Sequence, residues 1–252
     1  MAHHLSSRSI YDRLTDRLNR FPQGAPPAES LHRILKMLFS EEEAAQAAVL
    51  PVRPFRVARA ASIWKVDEAE ARRRLDALAS RALLVDWDGP EGTEYVLPPP
   101  MAGFFEFSMM RVRGDLDQPA LAELFYQYLN VEEDFVKALF AGGETQLGRT
   151  FVQEPALPAD GSLHVLDFER ASEVIRTATV RGVSRCYCRH KMEHVGRACD
   201  APQDLCMTFN TTAGSVVRHG HAREVDAAEG LDLLAEAHAH GLVQSARTSA
   251  RA

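Results

Sequence analysis

Polar and apolar residues along the first fifty positions follow the period of amphipathic helices. Apolar residues recur at helical spacing in residues 8–20 and again in residues 29–39, and the segment FPQGAPPAE interrupts the pattern between them. Ser40 and Glu43 form a capping-box pattern that opens a third, alanine-rich helix, which Pro51 should close. The N-terminal segment is therefore predicted to be all helical.

The next segment has the element order of a winged helix-turn-helix. A short helix over 57–63 is followed by a turn and by a second helix that Asp67 caps and that runs to Arg81. Two strands, over 83–87 and 93–97, are joined by the turn-forming loop DGPEG. Helix, turn, helix and hairpin in this order are typical of winged-helix domains.

Beyond three consecutive prolines, the apolar segment GFFEF at 103–107 is interpreted as a linker packed between domains, with a partner-docking patch as the alternative. A helix is predicted over 119–140, and a loop rich in Gly and Pro covers 141–161.

The C-terminal half alternates short strands with helices. A strand is predicted over 163–166, followed by a helix that Asp167 caps and that runs to Ala178. A later helix opens at Asp226 in a capping-box pattern and should end at Gly241.

These elements predict an α+β protein that is mostly α. We expect a helical and winged-helix-like domain over 1–100 and a linker with a helical connector over 101–162. A small α/β cysteine-cluster domain should follow over 163–244, and a disordered tail over 245–252.

Composition limits the functional classes. The 252 residues have a formal net charge of −6, which disfavours a uniformly basic nucleic-acid binder. No apolar run approaches the roughly 20 residues of a membrane helix, and the N-terminus lacks the apolar stretch of a secretory signal. We therefore expect a cytoplasmic protein without a membrane partner, whose thiols stay reduced.

Every cysteine of the chain lies in one short window with the spacing C-x-C-x10-C-x6-C. In extended backbone, residues two apart share a face and lie about 7 Å apart, which is awkward for a disulfide but suitable for a common metal centre. The spacing favours an iron–sulfur cluster or a single metal ion, with zinc as the alternative to the cluster. A thiol redox switch and four unliganded thiols remain open. The candidate ligands are Cys186, Cys188, Cys199 and Cys206.

Basic residues surround these thiols in the sequence. Four thiolates around one centre carry a large negative charge, which cations would offset while lowering the thiol pKa values. Arg189 and Lys191 are the candidates for supporting the ligands, together with Arg185 and Arg197.

His190 and His194 admit several interpretations. They are candidates for hydrogen-bond donors to the sulfur atoms, and either could instead replace one cysteine as a ligand or lie on the surface. With Glu193 they also match H-x-x-E-H, a zinc peptidase motif that needs a helix. A helix inside the cysteine segment, just before Gly196, is not expected.

The cysteine segment and its surroundings resemble a known family. The stretch CYCRHK…HVGRACDAP…LCMTFN, followed by HGHAREVDAAEGL and GLV, is similar to 4Fe-4S-binding, ferredoxin-type iron–sulfur proteins. The likeness extends to RFPQGAP, LFSEEEA and GFFEF in the N-terminal half. The resemblance implies that all four cysteines hold a 4Fe-4S cluster, in an electron-transfer component of an oxidoreductase system with a redox protein as its partner.

One difference from that family limits the expected function. Its members usually continue past the GLV position into ferredoxin-like cysteine motifs, whereas this chain has no cysteine after Cys206. We therefore expect cluster binding, but not the role of a wire that holds two additional clusters.

The winged-helix pattern suggests a different class of function. Residues 53–81 contain eight Lys or Arg against four Asp or Glu, and Arg72, Arg73 and Arg74 lie on the predicted recognition helix, where they are candidate DNA contacts. The alternative function is a transcriptional regulator that senses redox state or metal through the cysteines. Winged helices also serve as protein-interaction modules, and arginines on helices are often solvated.

Overall fold

The structure, a computed structural model, describes residues 9–21, 23–141, 148–151, 155 and 170–247. It confirms the predicted class, because the chain is α+β and mostly helical. Its strands form two small three-stranded sheets and one two-stranded sheet within these residues.

The N-terminal helices begin where the capping residues predict. The side chains of Ser9 and Ser40 each accept a hydrogen bond from a backbone N–H in the first turn of their helix. The backbone N–H of each serine donates in turn to the acidic side chain three residues later. The helices are α1 (Ile10–Leu18), α2 (Glu29–Leu38) and α3 (Glu41–Ala47).

The following segment contains a helix, a turn, a second helix and a hairpin, in the order predicted from the sequence. Strand β3 lies between β1 and β2 in an antiparallel sheet, so the β2–β3 hairpin forms the wing. The elements are β1 (Phe55–Arg56), α4 (Val57–Trp64), α5 (Glu68–Ser80), β2 (Val85–Gly89) and β3 (Gly92–Val96).

The helix predicted over 119–140 is not one helix. Helix α7 (Gln118–Tyr126) continues into a π-helical segment. Glu133 then adopts a left-handed backbone with φ of 59°, which separates helix α8 (Asp134–Ala141) from that segment. An irregular turn over Pro100–Phe104 precedes these elements, which are α6 (Phe105–Phe107), α7 (Gln118–Tyr126), the π-helical Gln127–Val131 and α8 (Asp134–Ala141).

The GFFEF segment lies in the core. Phe104, Phe105 and Phe107 are buried, and the ring of Phe105 contacts those of Phe125 and Phe135 at centroid distances of 4.9 and 6.2 Å. One continuous apolar core contains these rings together with the buried side chains of the N-terminal helices and the winged helix. The segment is therefore packed inside the protein and is not an exposed docking patch.

The C-terminal half is built on a second three-stranded sheet, in the order β6-β5-β7, with helices packed against it. Its elements are β4 (Gly148–Thr150), α9 (Ala171–Thr177), β5 (Arg181–Ser184), α10 (Tyr187–His194), β6 (Cys206–Phe209), α11 (Asn210–Arg218), β7 (Arg223–Glu224), α12 (Ala227–Ala239) and β8 (Ser245–Arg247).

Three predictions for this half had different outcomes. The strand over 163–166 lies outside the described residues. Helix α9 begins later than predicted, since Arg170 occupies the position before its first turn. Gly241 follows α12 with φ of 67°, which confirms the predicted helix end.

The predicted disordered tail is wrong for its first three residues. Ser245–Arg247 pair as strand β8 with Gly148–Thr150. In the part of the chain that the structure describes, no helix has both the length and the apolar character needed to cross a bilayer.

Candidate metal centre

The sheet and α10 together set the positions of the cysteines. Strand β5 ends at Ser184, which pairs with Cys206, the first residue of β6. Two residues after Ser184, the backbone N–H of Cys186 donates to the carbonyl of Gln203 at 2.6 Å. The register of β5 and β6 thus places Cys206 opposite Ser184, two residues before Cys186, although twenty positions separate the first and last cysteines in the sequence.

Helix α10 starts directly at the first cysteine, and its inner face is fixed in the core. Tyr187 is 4% exposed and packs edge-on against Phe125 of α7. One turn later, Lys191 donates to the side chain of Asn130 at 2.6 Å and lies over the Tyr187 ring. Burial of these two side chains explains why a helix forms here.

The extended backbone considered for the CxC pair is therefore wrong at its second cysteine. Cys186 is extended and precedes the helix, whereas Cys188 lies in the first turn of α10. This helix was hard to predict from the sequence, because the buried positions that anchor α10 are few and include a lysine.

Electrostatics link the two cysteines of this pair. A hydrogen bond from the Cys188 thiol lowers the pKa of Cys186 to about 6, and the nearby backbone N–H and guanidinium of Arg189 act in the same direction. The same hydrogen bond raises the pKa of Cys188. A thiolate at the start of a helix, next to a cation, is a favoured arrangement for a nucleophilic or metal-binding sulfur.

The third member of the group is Cys206. Its charge, with those of Cys186 and Glu106, contributes to raising the pKa of Cys188, so these three sulfurs lie near one another. Cys199 is exposed on the loop between α10 and β6. None of the four cysteines forms a disulfide.

Two features of the described residues bear on whether a metal or cluster fits this site. Across the described ranges, no group of three or more His, Cys, Asp or Glu side chains has the geometry to hold one metal ion. The Nε atom of Arg189, however, is buried without a hydrogen-bond partner, and the Arg189 guanidinium favours the Cys186 thiolate. A buried unsatisfied donor beside thiolates is suited to a bound acceptor such as sulfide.

The other predicted supporting cations make different contacts. Lys191 is directed to Asn130, and Arg197 donates to the hydroxyl of Tyr126 and stacks on its ring. Arg185 lies 3.8 Å from Glu193, whose carboxylate also accepts from Gln203 at 2.7 Å.

His190 and His194 lie three and seven positions after Tyr187, so they share its face of α10. His190 is 2% exposed and donates from Nδ1 to the carbonyl of Met109 at 2.7 Å. Burial lowers the pKa of His190, so the neutral ring is favoured. Its Nε2 lies 3.2 Å from Nε2 of His194, which is exposed. Sequence reasoning missed Met109, which is distant in the chain.

A cleft of about 390 Å³ opens at these histidines. It is bounded by Val112, Arg113, Leu116, Gln118, Pro119, Arg185, His190, Glu193 and His194. The connection before α7 and the helix α10 therefore form its two walls.

The arginines predicted to contact DNA are engaged within the protein. Arg74 donates to Glu70 at 2.6 Å and lies 3.1 Å from Glu42, while Arg73 also pairs with Glu70. Arg72 donates to the hydroxyl of Tyr95 at 3.4 Å. These internal partners reduce the positive charge that α5 presents to a phosphate backbone.

Comparison of the chain with protein-family models, with curated proteins and with solved structures found no match. The resemblance to ferredoxin-type proteins therefore stays a prediction from the sequence.

Proposed function

We propose that this protein binds an iron–sulfur cluster of the 4Fe-4S type through Cys186, Cys188, Cys199 and Cys206, and serves as an electron-transfer component of an oxidoreductase system. The observation that carries the proposal is the grouping of Cys186, Cys188 and Cys206 at the junction of β5, α10 and β6. The fourth ligand would come from the exposed loop that carries Cys199.

A cluster suits these thiols better than one ion does. Each iron of a 4Fe-4S cluster takes one cysteine sulfur, so the four sulfurs stand farther apart than ligands of a single tetrahedral zinc. Zinc therefore becomes the alternative that metal analysis must distinguish.

The surroundings supply what a bound cluster needs from the protein. Arg189 offsets negative charge and offers its unpartnered Nε–H, and the low pKa of Cys186 favours a thiolate ligand. When bound, such a cluster supplies one-electron transfer. The exposure of Cys188 and Cys199 supports a cluster at the protein surface, where a redox protein partner could approach it.

The decisive experiment is anaerobic purification followed by metal analysis and optical spectroscopy. We expect a brown protein with broad absorbance near 400 nm and about four irons per chain. Changing Cys186, Cys188 or Cys206 to Ser should each remove most of the iron. Thr208→Ala, on the same strand as Cys206, is the matched control and should retain it.

A colourless protein with one zinc per chain would contradict the cluster and favour a structural or sensing site. Full iron content in Cys206→Ser would contradict the proposed ligand set. Both outcomes can be measured without knowing the redox partner.

A transcriptional regulator is the second proposal, and the winged-helix topology is the observation in its favour. Its DNA contacts would be Arg72, Arg73 and Arg74, which must leave their internal partners to reach phosphates. Binding to duplex DNA that weakens steeply with salt, and that Arg73→Ala reduces, would support this proposal. Weak binding without salt dependence would exclude it.

A further inference from the structure

The two histidines of α10 contact each other through their ring nitrogens. They are one turn apart, at i and i+4, and their Nε2 atoms are separated by 3.2 Å. Two imidazole nitrogens bound to one tetrahedral zinc at 2.0–2.1 Å lie about 3.3 Å from each other. The observed separation, which is that of a hydrogen bond between the two rings, is therefore close to the one that a shared metal ion requires.

The ring orientation agrees with this distance. The ring centres are 4.8 Å apart and the ring planes meet at 42°, so the two nitrogens approach at an angle and are not opposed head-on. A metal ion beside the two nitrogens could therefore be reached by both once the exposed ring of His194 rotates slightly and carries its proton on Nδ1, which leaves a lone pair on its Nε2.

The hydrogen bond that Nδ1 of His190 makes fixes which ring nitrogen carries the proton. Because a carbonyl only accepts, Nδ1 of His190 carries the proton that it donates to Met109, and Nε2 is left with a lone pair. A histidine ligand commonly donates its second ring N–H to a backbone carbonyl in this way, which fixes the ring and raises the basicity of the ligating nitrogen.

The space around the pair is accessible. Both histidines line the cleft of about 390 Å³. Glu193 lines it too, but its carboxylate accepts from Gln203 and lies near Arg185, which leaves two protein ligands. This agrees with the absence of any three-residue metal group among the described residues. The remaining coordination positions would face the cleft and take water.

We propose that His190 and His194 bind a divalent transition-metal ion of the zinc type, at a site separate from the cysteines. Imidazole nitrogens suit zinc, cobalt, nickel and copper, whereas Mg²⁺ and Ca²⁺ prefer oxygen ligands. Two ligands make the site open and exchangeable. Because Glu193 is held by Gln203 and Arg185, this is metal binding and not the peptidase chemistry that H-x-x-E-H suggests.

The test is a titration of the full, anaerobically isolated chain, whose cysteines keep whatever metal they hold. Zn²⁺ binding is followed by calorimetry, and Co²⁺ replaces Zn²⁺ to report the donor atoms, since only thiolate ligands give strong near-ultraviolet charge-transfer absorption. We expect one equivalent of Co²⁺ to bind without that absorption. His194→Gln should weaken Zn²⁺ and Co²⁺ binding at least tenfold.

Two further variants keep the result interpretable. His240→Gln removes another exposed histidine, at the end of α12, and should leave the affinity unchanged. His194→Asp, which supplies a carboxylate ligand in place of the imidazole, should recover part of the binding that His194→Gln loses. Equal affinity in the unmodified chain and in His194→Gln would overturn the proposal, as would thiolate absorption from all of the bound Co²⁺. Neither outcome bears on the iron content of the cysteine site.

Discussion

Asp86 on the wing strand β2 accepts a hydrogen bond from the hydroxyl of Ser215 on α11 at 2.7 Å. The backbone N–H of Asp86 donates to the same hydroxyl at 3.2 Å, and both residues are buried. Arg218 and His219 also contact the Asp86 carboxylate, at 2.8 and 3.0 Å. Since α11 follows the strand that begins with Cys206, this cluster ties the winged helix to the cysteine-bearing half.

Replacing this carboxylate should loosen the connection. Asp86→Asn keeps the shape of the side chain but removes the charge that Arg218 and Ser215 contact, so we expect the free energy of unfolding to fall by about 2–4 kcal/mol. Urea unfolding followed by circular dichroism measures this change. The matched control is Asp88→Asn on the same strand, which is exposed and should change stability by less than about 0.5 kcal/mol. Equal effects in the two variants would show that the Asp86 contacts contribute nothing specific.

The same cluster should make stability depend on acid pH. Burial alone would raise the pKa of Asp86, but hydrogen bonds from His219 and Ser215 overcome it and lower the pKa from 3.8 to about 2. A carboxyl group with a lowered folded pKa stabilises the protein fully above its unfolded pKa and loses that contribution as pH falls through its folded pKa. The stabilisation by Asp86, about 2 kcal/mol, should therefore disappear between about pH 4 and pH 2.

This pH dependence is checked by unfolding the unmodified chain and Asp86→Asn at pH 5 and at pH 2.5. The difference in unfolding free energy between them should shrink at the lower pH. A difference that stays constant would mean that the ionised carboxylate is not the stabilising species.

Cys186 should be the most reactive thiol of the metal-free, reduced chain at neutral pH. Because the Cys188 thiol lowers its pKa to about 6, its alkylation by iodoacetamide should have a midpoint near pH 6. Cys188→Ala removes the donor, so the midpoint should move up and the rate at pH 6.5 should fall roughly tenfold. Peptide mapping by mass spectrometry assigns the modified residue.

Cys199→Ala provides the comparison for that experiment, since Cys199 lies on the exposed loop and is not among the causes of the lowered pKa of Cys186. The Cys186 midpoint should not move in this variant. An unchanged midpoint in Cys188→Ala would refute the hydrogen bond as the cause.

Phe105 should be among the most costly residues to truncate. Its side chain is 0% exposed, and its ring contacts four other aromatic rings from four segments. Phe105→Ala should lower the free energy of unfolding by about 3–5 kcal/mol through the cavity that it leaves. Val112→Ala, at a side chain that is 70% exposed, should have little effect in the same denaturation assay. A small effect at Phe105 would mean that the core refills the cavity.

Much of the local structure could be predicted from single residues. Ser40 and Asp67 start their helices because a short polar side chain satisfies a first-turn N–H without help from the rest of the fold. Gly241 ends α12 for an equally local reason. Helix α10 and the break at Glu133 could not be predicted, because burial against α7 and a left-handed backbone at a non-glycine residue depend on tertiary packing.

The candidate site also combines features that the sequence determines with features that depend on tertiary packing. The sequence by itself determined that four thiols share one short window and that two histidines stand four residues apart, because spacing and residue type are properties of the chain. Only the tertiary structure decided which of these groups meet. The register of β5 with β6 placed Cys206 opposite Ser184, close to the start of α10, and packing of α10 on the core directed His190 to the carbonyl of Met109. Such contacts join distant positions, and the packing of whole elements fixes them.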